Sequence, residues 1–243
     1  MSNALTVSIV SHGHGLHITH LIGDLIKGIG TPFKLIITLN VAEDESFLAS
    51  LDRAPFTSKV IRNSKPKGFG ANHNSAFKLC DSDYFLVLNP DARLINQDLS
   101  AVMSLLGNDS MVGVYGAKVV DSNQRLQLTA REFPTFSKSL LRFLNLNQAS
   151  KSPDHQQPHD WVAGMFMLFP ASAYRLVNGF DERYFMYLED VDICRRLKRR
   201  GLKILYNDIV EIVHDGQFAS RKNFRHFFWH VSSLLRFLWT KKG

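Results

Sequence analysis

Between Leu5 and Val10 the chain reads LTVSIV, a short β-branched run closed by Ser-His-Gly-His-Gly, and a second apolar run from Leu35 to Leu39 ends at Asn40. Runs of this length, bounded by polar and glycine-rich residues, predict buried parallel strands. Between them Ile18, Leu21, Ile22, Leu25, Ile26 and Ile29 recur at helical spacing. Strand, helix and strand thus form one βαβ unit, the opening of a doubly wound sheet. After Val60 and Ile61 the stretch NSKPKGFGANHN opens a helix predicted through Leu79, and Tyr84 to Leu88 is a further strand that stops at Asn89-Pro90-Asp91. Ligands in open α/β sheets bind beyond the carboxyl ends of the strands, where each of these polar loops falls, so the loops are expected to converge. From Gln148 to Asp160 the composition turns to Ser, Pro, His, Gln and Asp, a surface loop placed to close over a substrate.

With 243 residues and 45% hydrophobic content, the chain can bury one substantial core. Cys80 and Cys194 have no partner at metal-ligand spacing, the pattern of reduced, buried thiols in a cytoplasmic protein. The longest apolar run, Trp161 to Phe169, is far short of the roughly 18 residues that span a bilayer, and no exported leader precedes the first strand. A net charge of +7 implies anionic partners without choosing among nucleic acid, phosphorylated sugars and lipid. Nucleic acid is disfavoured, because the cations are scattered and no reader motif occurs.

Several residues can carry chemistry, each with a plainer alternative. Asp91, beyond a strand end, can offer a hard oxygen to a divalent cation, although Asn-Pro-Asp is also an ordinary turn. In FMYLEDVDICRR three acids fall within four residues at a helix start, where the helix dipole alone favours them and Asp192 can pair with Arg196 on the outer face. The apolar and aromatic residues from Tyr184 to Leu188 would instead seat Glu189 and Asp190 where a carboxyl is raised toward general-base duty. Gly68 and Gly70 before Ala71 and Asn72 allow close approach of a ligand to a helix terminus, yet form neither a Walker loop nor a dinucleotide fingerprint. His214, after the apolar run Ile209 to Val213, is either a nitrogen ligand or a structural histidine.

In order, VSIVSHGH, KGFGANHN, FLVLNPDA, WVAGMFML, NGFDERYFMYLEDVDICRRL and VHDGQFAS resemble the successive motifs of family 2 GT-A glycosyltransferases, particularly the lipopolysaccharide O-antigen rhamnosyltransferases. The resemblance spans residues 5 to 240 and is most specific from Asn178 to Arg196. It implies an α/β, GT-A (Rossmann-like) fold with a mixed, mainly parallel sheet flanked by helices. A domain over residues 1–217 would divide into a nucleotide-binding half, about 1–105, and an acceptor-binding half, about 106–217. It further implies a nucleotide-sugar donor, dTDP-rhamnose by preference, and a polyprenyl-diphosphate-linked sugar acceptor. His12, Gly13, Asn40, Gly68, Gly70, Ala71, Asn72, Asn89 and Asp91 match donor-binding positions, and Trp161, Gly164 and Arg196 acceptor-binding ones. Asp91 and His214 match ligands of Mg²⁺ or Mn²⁺, with Asn89 a neutral partner. Asp190 matches the catalytic base and Glu189 its supporting neighbour. Asn40 departs from relatives that carry an acid to read the base, which leaves uracil and thymine both open. Loop shapes that no sequence pattern encodes set the donor sugar, so another sugar such as galactofuranose from UDP stays a rival. Retention of Asp91, Glu189, Asp190 and His214 disfavours a catalytically silent partner-binding relative.

The tail, 218–243, reads as a basic amphipathic helix. Phe224, Phe227, Phe228, Val231, Leu234, Leu235 and Leu238 share one face, and Arg225, His226, His230, Ser233 and Arg236 the other, which Trp229 and Phe237 interrupt. Such a helix either packs on the body or lies in the inner surface of the cytoplasmic membrane.

Overall fold

The structure, a computed structural model, describes residues 4–134, 159–214 and 224–240, except 29, 31 and 53 and the side chains of 96 and 97. Most of the loop expected from Gln148 to Asp160, and Ala219 and Ser220 of the last motif, lie outside the described residues.

The predicted opening unit forms as β1 (Leu5–Ser11), α1 (Gly15–Gly28) and β2 (Phe33–Leu39), with the strands parallel and paired from Leu5↔Phe33 to Ser11↔Leu39. Ile18, Leu21, Ile22 and Leu25 are buried as the periodicity requires, but Ile26 is 44% exposed, one position beyond the stripe that meets the sheet. Then follow β3 (Thr57–Arg62), α2 (Phe69–Phe77), β4 (Tyr84–Leu88), β5 (Arg93–Gln97), α3 (Leu99–Asn108), β6 (Val112–Val120) and the short β7 (Leu126–Gln127) and β8 (Ala130–Arg131). The carboxyl-terminal half supplies β9 (Trp161–Val162), β10 (Phe166–Pro170), α4 (Ala171–Leu176), α5 (Glu189–Arg199), β11 (Lys203–Val213) and α6 (Phe224–Trp239).

One sheet of order β3-β2-β1-β4-β10-β6-β11-β5 carries β7 beside β6. Strand alternation divides its side chains between two cores: Leu86 and Leu88 face α1 and α3, whereas Phe85 and Val87 face α2, α4 and α5. β10 runs antiparallel to both β4 and β6, so its start lies at the edge where the parallel strands end. Cys194 is buried in the second core as expected, but Cys80 is only half-buried, since it sits in the turn that leaves α2.

Two polar groups inside these layers are tied to the packing. His73 of α2 is buried against β1, with its Nδ1 2.8 Å from the Ser8 hydroxyl and its ring 4.5 Å from that of Phe69. Burial drives its pKa down to about 3 from 6.5, so the folded protein holds it neutral. Asp192 of α5 does not lie on an outer face. It is buried, accepting from Arg195 Nη2 and Arg196 Nε at 2.7 Å each, because α5 is covered on that side by α6 and by the turn after α4.

Between the unfolded and folded pKa of His73 the unfolded chain binds the extra proton, so stability is full above about pH 6.5 and falls toward pH 3 by at most roughly 1.4 kcal/mol per pH unit. His73→Gln should flatten that dependence in denaturant titrations at pH 7 and pH 5; an unchanged slope would remove His73 as its source. Asp192→Ala leaves Arg195 buried without its carboxylate and should cost about 3–5 kcal/mol in the same assay.

Candidate active site

β1 pairs with β2 on one side and β4 on the other, so the strand order reverses there and the crevice beyond their carboxyl ends is the natural ligand site. The loop after β1 lies on one wall, where His12 donates its backbone N–H to His14 Nδ1 at 3.0 Å. Asn89 and Asp91 follow β4 on the other wall. Asp91 precedes β5 and His214 follows β11, and the register Val213↔Arg93 brings them together, with Asp91 Oδ1 3.3 Å from His214 Nε2. Asn89 Nδ2 stands 3.4 Å from the same nitrogen. Burial alone would raise the Asp91 carboxyl, but the hydrogen bond and charge of His214, with His14 behind, hold it below the usual range. Burial likewise lowers His14 against the attraction of Asp91.

This pair fits half of a divalent-cation site. It presents one carboxylate oxygen and one imidazole nitrogen side by side, and no group of three or more His, Cys, Asp or Glu suited to a metal occurs among the described residues. A cation held here would take its remaining oxygens from a bound diphosphate and water.

Glu189 and Asp190 open α5 from beneath the strap of residues 185–188, whose last two members, Tyr187 and Leu188, adopt φ of +72° and +65°. Asp190 Oδ1 accepts from the Val191 N–H at 2.8 Å and Oδ2 from the Gly164 N–H at 3.1 Å. Burial raises Asp190 above the ordinary carboxylate range, and these amides and the charge of Arg131 moderate the rise. Glu189 is raised much further, by burial first and then by the Asp190 charge, and its Oε2 is buried without a hydrogen bond among the described residues. Of the two, Asp190 therefore ionises first.

The acid pair and the Asp91–His214 pair share one sheet edge. Asn89 N–H donates to Met165 O at 3.0 Å, and Met165 directly follows Gly164, whose amide holds Asp190. The glycine loop reaches the same place, since Phe69 N–H donates to Phe185 O at 2.9 Å.

Several residues expected to touch ligands are engaged within the protein. A Cβ on Gly68 would come 2.6 Å from Phe185 O, at the start of the strap, and one on Gly70 2.5 Å from Phe180 Cβ, so both glycines allow close packing of the protein against the start of α2. Ala71 and Asn72 are buried in α2, and Asn72 is bound to Asn63, Lys67 O and Gly68 O. The Asn40 amide clamps the same loop, accepting from Lys67 N–H at 2.8 Å and Asn63 Nδ2 at 2.9 Å while donating to Lys67 O. Arg196 is engaged by Asp192, Val177 O and Gly179 O, which makes it a brace for the turn after α4. Gly164 holds the acid, and Trp161, half-buried with its indole N–H on Glu132 O, packs against the cluster of Tyr184, Val191 and Phe237.

Three residues passed over in the sequence belong to this edge. His14 adjoins Asp91, Arg131 acts on Asp190 through its charge, and Glu43 accepts from the Ser11 hydroxyl at 2.7 Å. Glu43 also lines a cavity of about 510 Å³ with Gly13, Gly15, Thr19 and Phe47. That cavity lies at the β1–β2 end of the edge and does not include Asp91, Asp190 or His214. His14 and Glu43 each had a local signal, a polar group shortly after a strand end; Arg131 is recruited through pairing of β8 with β9.

Residues 6–229 match the family described as "Glycosyltransferase like family 2". Rhamnosyltransferase WbbL of Escherichia coli (strain K12) is 30% identical over 97% of this chain and 93% of its own length. An N-acetylglucosaminyl-diphospho-decaprenol L-rhamnosyltransferase of Mycobacterium tuberculosis is 23% identical over 88% of this chain and 76% of its own. Among solved structures, the mannosyltransferase PcManGT of Pyrobaculum calidifontis, in complex with GDP-Man and Mn²⁺, superposes with a TM-score of 0.65 at 14% identity. That match covers 97% of this chain but 65% of the mannosyltransferase. GalNAc-T7 with UDP, GalNAc and Mn²⁺ gives 0.64 at 13% identity, over 88% of this chain and 43% of its own. With a GT-A sheet, a crevice at its reversal point and a match along nearly its whole length, this chain belongs to the family 2 glycosyltransferases.

Proposed function

We propose that the protein catalyses inverting transfer of L-rhamnose from dTDP-L-rhamnose to a GlcNAc-diphospho-polyprenyl-like acceptor. The reaction would serve O-antigen or surface-polysaccharide synthesis at the inner face of the cytoplasmic membrane. The names of the two rhamnosyltransferase relatives support the sugar, and the second also supports a lipid-linked acceptor. The observation that carries the reaction type is the single sheet edge shared by the Asp91–His214 pair and Asp190, linked through the Asn89–Met165 backbone bond and the Gly164 amide.

In this reading Asp190 takes the proton from the acceptor hydroxyl as that oxygen attacks the anomeric carbon, on the face opposite the diphosphate. Burial keeps the carboxylate basic enough for that transfer, and the two amides fix its orientation. Glu189 stays protonated beside it, so the buried pair carries one negative charge rather than two. A divalent cation, Mg²⁺ or Mn²⁺, bound by Asp91 and His214 would supply positive charge for the departing diphosphate. His12, Gly13 and the cavity beside Glu43 form the end of the crevice suited to the nucleotide.

Asp190→Asn should lower kcat by roughly 10²–10⁴-fold while donor affinity, read by calorimetry with Mn²⁺, changes little; loss of donor affinity would assign Asp190 another role. Glu189→Gln imitates the protonated side chain and should keep kcat within about fivefold of the parent; a loss as deep as that of Asp190→Asn would contradict the proton assignment. Because the Asp190 carboxyl is raised above its ordinary 3.8 and acts when ionised, kcat/KM should fall as pH drops through a midpoint above that value. Initial rates from about pH 8 down to pH 4.5 would locate the midpoint.

A further inference from the structure

The tail helix is held by a mixed face and leaves an apolar one outside. Toward the body α6 turns His226, Trp229, Ser233, Phe237 and Leu238, so polar and apolar contacts together seat it. Trp229 and Phe237, which interrupt the polar side in the sequence, are thus its packing contacts. Away from the body it turns Phe224, Phe227, Phe228, Val231, Leu235 and Trp239, of which Phe224 is 93%, Phe228 72% and Trp239 86% exposed. An apolar stripe of this size on a solvated face marks an interaction surface.

The charge pattern around the stripe identifies the partner. After Asp215 the chain has no acidic residue, yet it has six lysines and arginines. Arg225 lies over the Trp229 ring at 5.6 Å and Arg236 over the Tyr184 ring at 5.9 Å, three helical turns apart and so along one flank of the stripe. Aromatic and aliphatic side chains bordered by cations suit an anionic phospholipid surface. Among the described residues no helix is long and apolar enough to cross a membrane, so α6 would lie along the surface.

The inward face of the same helix holds the strap that delivers the acids. The Tyr187 hydroxyl is 2.8 Å from His226 Nδ1, Ser233 Oγ donates to Met186 O at 2.9 Å, and the Phe185 and Trp229 rings lie 4.7 Å apart. Tyr187 and Leu188 are held at positive φ directly before Glu189, a backbone state that bulky residues adopt only when their surroundings impose it. Arg195 of α5 closes the far end of α6, donating to Phe237 O and Thr240 Oγ1 at 2.8 Å.

We propose that α6 docks on an anionic phospholipid bilayer through its outward apolar stripe, and that its inward contacts with the 185–188 strap transmit docking to Asp190. His226 is then a positioning residue. The docking half stands without the transferase assignment, whereas the significance of Asp190 rests on that assignment.

The full chain should sediment with phosphatidylglycerol-containing vesicles in a salt-sensitive manner, and Phe228→Ser with Leu235→Ser should weaken this at least about tenfold. Undiminished vesicle binding by that variant would overturn docking through the stripe. So would a parent that remains in solution as a dimer which the double variant splits, since the stripe would then face a second copy. Hydrogen exchange of the peptide spanning 185–192 should slow on vesicle addition in the parent and in His226→Asn, which keeps a polar atom near Nδ1, but not in His226→Ala. Equal response of all three, or no response in the parent, would overturn the transmission. With active protein, His226→Ala should lower kcat on a short, soluble GlcNAc-diphospho-alkyl acceptor while leaving donor KM unchanged, with rescue by His226→Asn. Absence of transfer from any nucleotide sugar by the parent would defeat the transferase reading alone, leaving the sedimentation and exchange results standing.

Discussion

The antiparallel entry of β10 beside β4 is the constraint on which the site depends. Parallel strands bring only their carboxyl ends to the ligand-binding edge, so residues before a parallel strand are carried to the far side. By running backwards, β10 pairs Phe166 with Leu88 and brings its leading turn, Gly164 and Met165, against Asn89. That turn then presents the Gly164 amide to Asp190. Position 164 is confined by its neighbours: a Cβ there would lie 3.2 Å from the Phe69 ring and 3.7 Å from Asp190 Cβ. The glycine therefore lets the α2 start and the α5 start converge on one strand junction.

Once gathered, the three carboxyl groups are differentiated by their surroundings. Asp91 is held low by His214 despite its burial, Asp190 is raised but retained by two backbone donors, and Glu189, without such donors at Oε2, is raised furthest. Each pKa unit of separation corresponds to roughly 1.4 kcal/mol of differential interaction, so modest differences in hydrogen bonding suffice to separate three neighbouring carboxyl groups in their ease of ionisation. The donors that orient Asp190 belong to the backbone, so its placement follows from the fold of the Gly164 turn and the first turn of α5.

The opening βαβ unit was legible because its strands and helix have clear periods, and Tyr84 to Leu88 forms the strand read from sequence. The later strands gave weaker local signals. Thus β6 includes Gly113 and Gly116, and β11 includes Asn207 and Asp208, which fall where the register between the two strands shifts; both strands are held by pairing with each other and with β10 and β5 respectively. At the site, motif matching brought Asp91, Glu189, Asp190 and His214 to attention, but residue type alone could not assign Asn40, Gly68, Gly70 or Arg196. An amide clamping a loop and an amide reading a ligand look the same in a sequence. The distinction lies in whether the hydrogen-bonding atoms are already engaged, as those of Asn40 are.

The anchorage of α5 follows a related logic. An amphipathic helix packed only through aliphatic residues can slide or rotate slightly with little loss of contact, whereas directional hydrogen bonds resist both motions. On α5, Asp192 fixes Arg195 and Arg196, which respectively grip the end of α6 and the turn after α4. Burying such ions contributes less to stability than apolar packing of equal volume would. It does define the axial position and rotation of the helix whose first turn bears Glu189 and Asp190. In the proposed reaction, where a displacement of about 1 Å at a reacting group is enough to cost orders of magnitude in rate, such a helix would gain more from fixed placement than from added stability.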